Sequence, residues 1–191
     1  MCVRPVSQTW HESLEDAFTF LRKSEAMTPI AFPQLLDTIR ARQSSYHKLT
    51  VLAGEAGSGK TRLIRQVAAE LDFPLINLSL LLSQRLLSQN QRQRSLNAES
   101  VAIDVIDEHF KSGLCLDDTE LLFDKTLRTN PLVFLQNISR NRHIVATWNG
   151  GVTGGELRFG YPGHPDYFNQ NFNGYPVVSV AEDRFQVHLT T

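Results

Sequence analysis

Residues 48–61 read KLTVLAGEAGSGKT, and this stretch decides the fold. Leu49 to Ala53 is an apolar run of strand length that feeds a glycine turn closing on Gly59, Lys60 and Thr61. From Gly54 to Thr61 the spacing is G-x-x-x-x-G-K-[ST], the Walker A or P-loop pattern. Gly54, Gly57 and Gly59 let the backbone curl with its N–H groups facing inward, in conformations that a Cβ would block. Those groups, with the N-terminus of the next helix, would form a concave anion site for nucleotide phosphates. Lys60 would reach the β- and γ-phosphates, and the Thr61 hydroxyl would ligate Mg²⁺. The expected binding set is Gly54, Glu55, Ala56, Gly57, Ser58, Gly59, Lys60, Thr61 and Arg62, with ATP and Mg²⁺ as cofactors. After Lys60, the residues Leu63, Ile64, Val67, Ala68 and Leu71 recur with helical spacing, so one helix face packs on a sheet.

A phosphate loop needs an acidic partner for the metal at the end of a neighbouring strand. Leu114-Cys115-Leu116-Asp117-Asp118 supplies apolar residues followed by acids. Asp117 is the expected Walker B residue, sharing the metal with Thr61. Hydrolysis also needs a group that orients and deprotonates water. Asp118 follows directly and is favoured weakly over Glu120, two residues on. His143-Ile144-Val145-Ala146-Thr147-Trp148-Asn149 resembles the strand that ends in a polar sensor in ATPases of the AAA+ type, with Asn149 and Thr147 as candidates. Arg140, Arg142, Arg92 and Arg94 are candidates for a further cation, within the chain or across a subunit interface. Solvated surface charge is the commoner fate of such residues. No N-K-x-D guanine signature occurs, which points away from GTP.

The alternation of strand and helix argues for parallel βαβ units and a three-layer α/β fold, an AAA+/ASCE-like P-loop NTPase core. Two N-terminal helices are expected at 11–23 and 33–46, and strands at 73–78, 114–116 and 143–147. The segment 79–97 begins apolar and turns polar and basic. A helix is expected from an Asn97 cap through Phe110, and another opening at Asn130-Pro131. Beyond Gly150, Gly-Gly, Pro-Gly and Asn-Gly pairs with short apolar runs read as a hairpin and edge strands, with no helical lid. The divisions are thus 1–46, N-terminal helices; 47–150, nucleotide-binding core; and 151–191, a β-rich extension of the same domain.

The 191 residues carry a net charge of −1, which makes no global case for nucleic acid and none against a local basic patch. Two cysteines, Cys2 and Cys115, make no disulfide framework and fit a reducing cytoplasm. With no apolar signal core and no run of membrane-spanning length, a cytoplasmic protein without membrane association is expected. The six histidines show no metal-ligand spacing.

Several stretches together resemble one family: YHKLTVLAGEAGSGKT at 46–61, the Arg85 to Arg94 segment, LCLDDTELLFD at 114–124, LVFLQNISRNRHIVATWNG at 132–150, and ELRFGYPGHPDY at 156–167. They resemble BrxF, the small P-loop protein encoded in some BREX bacteriophage-exclusion loci. The resemblance implies the nucleotide site at Gly54, Gly57, Gly59, Lys60, Thr61 and Asp117. It also implies a component of bacterial phage defence working with other BREX subunits. In the family pattern an Asn often stands at the position of Asp118, which would make Glu120 the better catalytic candidate. A weak ATPase is expected. The alternative is a nucleotide-gated scaffold with little turnover, and a small-molecule kinase is a third reading. A nucleotide-dependent homo-oligomer and DNA contact through Arg85, Arg92 and Arg94 are further expectations. The 161–167 segment reads as a proline-kinked turn.

Overall fold

The computed structural model describes residues 30–181 and 184–190, so the helix expected over 11–23 lies outside the described part. Its centre is a six-stranded sheet. In chain order the strands are β1 (Leu49–Gly54), β2 (Leu75–Asn77), β3 (Leu114–Asp117), β4 (Ile144–Asn149), β8 (Val177–Ala181) and β9 (Arg184–His188). In space they run β2-β3-β4-β1-β8-β9. Every pairing is parallel except β8 with β9. All six residues of β1 are buried, which is why the run is mostly apolar on both faces rather than alternating, Thr50 excepted.

Period-two alternation then sorts side chains between two layers. Leu49, Val51 and Ala53 of β1, Leu114 and Leu116 of β3, and Ile144, Ala146 and Trp148 of β4 enter one core cluster. Leu52, Cys115, Val145 and Val178, from the alternate positions, enter the other. Helices α1 (Phe32–Arg40) and α2 (Lys60–Leu71) cover the second layer with Leu35, Leu36, Ile39, Leu63, Ile64 and Val67. Helices α3 (Leu78–Leu86), α4 (Gln91–His109) and α5 (Pro131–Ile138) cover the first. The result is a three-layer, mostly parallel α/β fold. Among the described residues no helix follows β4, and none is long and apolar enough to cross a membrane.

Several boundaries differ from expectation, among them the helix expected over 33–46, which ends at Arg40 and passes into a 3-10 turn over Ala41–Ser44. The strand expected over 73–78 contracts to β2 because the Asn77 side chain accepts the Leu80 N–H at 2.7 Å and starts α3 at Leu78. Helix α4 begins at Gln91, not after Asn97. Asn90 and Gln93 form a reciprocal capping box, each side chain accepting the other's backbone N–H at 3.0 Å. The chain beyond 150 also divides. β5 (Val152–Thr153), β6 (Glu156–Phe159) and β7 (Phe168–Asn171) make a separate antiparallel sheet, whereas β8 pairs parallel to β1 inside the main sheet.

Two histidines are locked into this packing. The buried His143 ring faces the Ile39 carbonyl, Nε2 to O at 3.0 Å, joining β4 to the end of α1. His188 Nε2 lies 2.9 Å from Ser179 Oγ, linking β9 to β8. Burial lowers both rings below the ordinary value of 6.5. The unfolded chain therefore takes up these protons before the folded one does. Their stabilising contribution is complete above about pH 6.5 and is lost as pH falls through and below that value. Thermal melts should thus drop between about pH 7 and pH 5, and His143→Gln should flatten part of that drop. An unchanged slope in that variant would remove His143 from the account.

Candidate functional site

The parallel strands β1, β3 and β4 end at one pole of the sheet, and a cavity of about 420 Å³ opens there. The 54–60 loop forms one wall. Gly57 and Gly59 adopt φ of +80° and +92°, the left-handed region that glycine enters without cost. A Cβ on Gly54 would lie 2.5 Å from both Ser58 Oγ and the Val180 carbonyl, so this glycine is required by close approach. Gly59 is the N-cap of α2, whose first residue is Lys60 and whose free N–H groups face the loop. The Lys60 ammonium folds back onto the loop, donating to the Gly54 carbonyl at 2.6 Å and the Glu55 carbonyl at 2.7 Å. Burial lowers its pKa, against the opposing pull of Glu120, Glu55 and Asp117. A cation held on carbonyls in a poorly solvated place is one that an anionic ligand would relieve.

The opposite wall is acidic. Thr61 Oγ1 donates to Asp117 Oδ1 at 3.3 Å, so the loop helix and β3 converge on one carboxylate. Contrary to expectation, the strand that carries Asp117 is not a neighbour of the loop strand. β4 is inserted between them. That insertion gives Thr147 its place: it is buried at the tip of β4, its Oγ1 donating to Asp117 Oδ1 at 3.2 Å and accepting the Asp118 N–H at 3.0 Å. Thr147 therefore orients Asp117 from behind. Asn149, at the end of β4, donates from Nδ2 to Glu120 Oε1 at 2.7 Å. Its Oδ1 is buried without a partner among the described residues.

The two catalytic candidates point different ways. Asp118 stands at φ +51°, a conformation Asp tolerates better than most residues. Its Oδ2 accepts from Asn77 Nδ2 at 3.1 Å, on the β2 side of the site. Glu120 instead reaches Asn149, on β4, next to the strand that leads into the 54–60 loop. Asn77 was not anticipated, although an Asn at a strand tip that also caps a helix is a readable signal. Arg65, one turn beyond Thr61, was missed too. It lines the cavity, whereas the expected Arg62 is exposed and does not.

The remaining arginine candidates are placed elsewhere. Arg140 and Arg142 precede β4, and so lie a strand length of about 20 Å from its site end. Arg142 pairs with Asp107 through Nε at 2.6 Å and Nη2 at 2.8 Å. Arg140 stacks over the Tyr46 ring. Arg85 is paired with Glu108 at 2.6 Å, and Arg94 Nε donates to the Leu86 and Gln89 carbonyls. Of the three residues expected at DNA, only Arg92 has an uncommitted guanidinium among the described residues.

Among the described residues no three His, Cys, Asp or Glu side chains converge to hold a metal by themselves. A magnesium ion does not require such a cage. It keeps most of its waters and is held through one or two protein oxygens plus substrate phosphates. Thr61 and Asp117, in contact with each other, would supply that pair, and Lys60 with the glycine loop would face a phosphate tail.

No family model matches the chain, and no curated protein does. A solved structure of C. elegans PCH-2 is similar to it with a TM-score of 0.38 and 20% identity, over 64% of this chain. The match spans 37% of that protein's chain. The strand pairings themselves make the molecule a mixed α/β protein built on a mostly parallel sheet.

Proposed function

We propose that this chain is a P-loop protein that binds Mg²⁺-ATP at the 54–61 loop and hydrolyses it slowly. The observation that carries this reading is the Thr61–Asp117 contact across the mouth of the glycine loop. Lys60 and the loop N–H groups would hold the phosphates, and Thr61 and Asp117 would hold the metal, which when bound neutralises charge on the transferring phosphoryl group. Thr147 fixes Asp117 in position. Glu120 is the group that takes the proton from the attacking water, and Asn149 holds that carboxylate. Asp118, committed to Asn77, is a positioning residue.

Glu120→Gln should lower phosphate release by about a hundredfold or more while nucleotide still binds. Asp118→Asn should leave turnover within a few-fold. The reverse ranking would exchange the two roles. A nucleotide-gated scaffold is the second reading, favoured by the absence of any cation beyond Lys60 and Arg65 on the walls of this cavity among the described residues. It predicts that ATP and a non-hydrolysable analogue promote the same assembly, seen by light scattering, with no need for Glu120.

The stretches quoted above support placing the chain with BrxF, as a component of BREX-type phage defence acting with other subunits of that system. Loss of protection against phage in cells carrying Lys60→Ala would support the assignment, and unchanged protection would count against it.

A further inference from the structure

A second cavity, of about 760 Å³, lies apart from the nucleotide site, between the start of α4 and the turn at 125–128. Three cations line it: Arg92 in the first turn of α4, then Lys125 and Arg128 on the chain that leaves β3. No carboxylate is on its walls. The nearest acid in sequence, Asp124, is turned to cap Thr126, accepting its N–H at 2.8 Å. Gln91 Nε2 ties the two sides together by donating to the Thr126 carbonyl at 3.2 Å.

These cations differ from Arg85, Arg94 and Arg142, and from Arg140, which is held over the Tyr46 ring. Arg85, Arg94 and Arg142 are each committed to a carboxylate or to backbone carbonyls. Arg92, Lys125 and Arg128 have no such partner among the described residues. Three exposed cations gathered without counter-charge make a local positive potential that attracts an anion. A second observation points the same way. Arg128 sits at φ +57°, closing a short 3-10 turn, where a glycine would be unstrained. A long side chain kept in a strained conformation over a cationic cleft suggests that the side chain itself is used.

We propose that this cleft binds the sugar-phosphate backbone of duplex nucleic acid, independent of sequence. Guanidinium forks suit phosphate oxygens, and two of the three cations are arginines. No aromatic ring lines the cleft, so it offers no platform for unpaired bases. This revises the expected DNA-contacting set, retaining Arg92 and replacing Arg85 and Arg94 with Lys125 and Arg128. The proposal does not depend on the nucleotide reading.

Fluorescence anisotropy with a labelled mixed-sequence DNA duplex, in the absence of nucleotide, tests it. The full chain should bind with a log–log salt slope of about −3, as three phosphate contacts require. Arg92→Glu with Lys125→Glu should weaken binding by about tenfold or more and reduce the slope by about two. Arg128→Gly should also weaken binding while its melting temperature holds or rises, because glycine takes this backbone conformation freely. All these variants should bind Mg²⁺-ATP as the parent does, which separates failure here from failure at the nucleotide site. Absence of duplex binding by the parent, or full binding by the variants, would overturn the proposal. So would a polyglutamate competitor of matched charge displacing the duplex as well as unlabelled duplex does, since the surface would then suit an acidic protein. A fall in melting temperature for Arg128→Gly would show that Arg128 is held for packing, and would overturn it too.

Discussion

Lys60→Ala is expected to weaken Mg²⁺-ATP binding by roughly a hundredfold, about 3 kcal/mol, and to remove phosphate release with it. The reason is the position of the ammonium. It already lies against the Gly54 and Glu55 carbonyls, within the 54–60 loop. A bound triphosphate tail would replace those neutral acceptors with charged ones, and charge-assisted hydrogen bonds are about twice as strong. Fold stability should hardly change, because burial disfavours the charged form of this lysine and alanine carries no such penalty. Fluorescent-nucleotide titration with a parallel melt would check both halves. A variant that binds as tightly as the parent would exclude Lys60 from phosphate contact.

Trp148→Ala should have the largest effect on stability, about 3–5 kcal/mol. The indole is fully buried and stands edge-on to Phe123 at 4.6 Å between centroids, with Phe168 at 5.5 Å. Phe123 in turn stacks on Phe159 at 3.9 Å, so one ring joins the main sheet to the three-stranded sheet. The indole Nε1 also donates to the Arg158 carbonyl at 2.9 Å, and alanine would leave that acceptor unpaired. Trp148 lies between Thr147 and Asn149 on β4, so the cavity should also loosen the acidic wall and lower nucleotide affinity. Urea denaturation of the alanine and phenylalanine variants measures this, with phenylalanine costing much less. A cost below about 1 kcal/mol for alanine would mean that the aromatic cluster does not hold the two sheets together.

What could be read from residues alone follows from which signals are local. The strand–loop–helix at 48–71 is specified by its own glycines and apolar spacing, and the structure has a strand at Leu49–Gly54 and a helix at Lys60–Leu71 there. The α4 start was legible in the Asn90–Gln93 box but was obscured, because its first turns carry few apolar residues and Leu96 is exposed. Strand order is not a local property. Nothing in the 114–118 stretch says that β4 will be inserted beside it, and the orienting role of Thr147 depends entirely on that insertion. The choice between Asp118 and Glu120 was hidden for a related reason. Their side chains diverge toward Asn77 and Asn149, residues 41 and 29 positions distant in the chain. The placement of β8 within the main sheet was likewise invisible, because its Val-Val-Ser-Val run suits an edge strand or a buried one equally.

Isothermal titration of the full chain with ATP in the presence of Mg²⁺ tests the central claim most directly. The account predicts saturable heat at one nucleotide per chain, strongly reduced when magnesium is withheld or Asp117 is replaced by alanine. Titrations without heat under all of these conditions, or heat indifferent to both magnesium and Asp117, would contradict it.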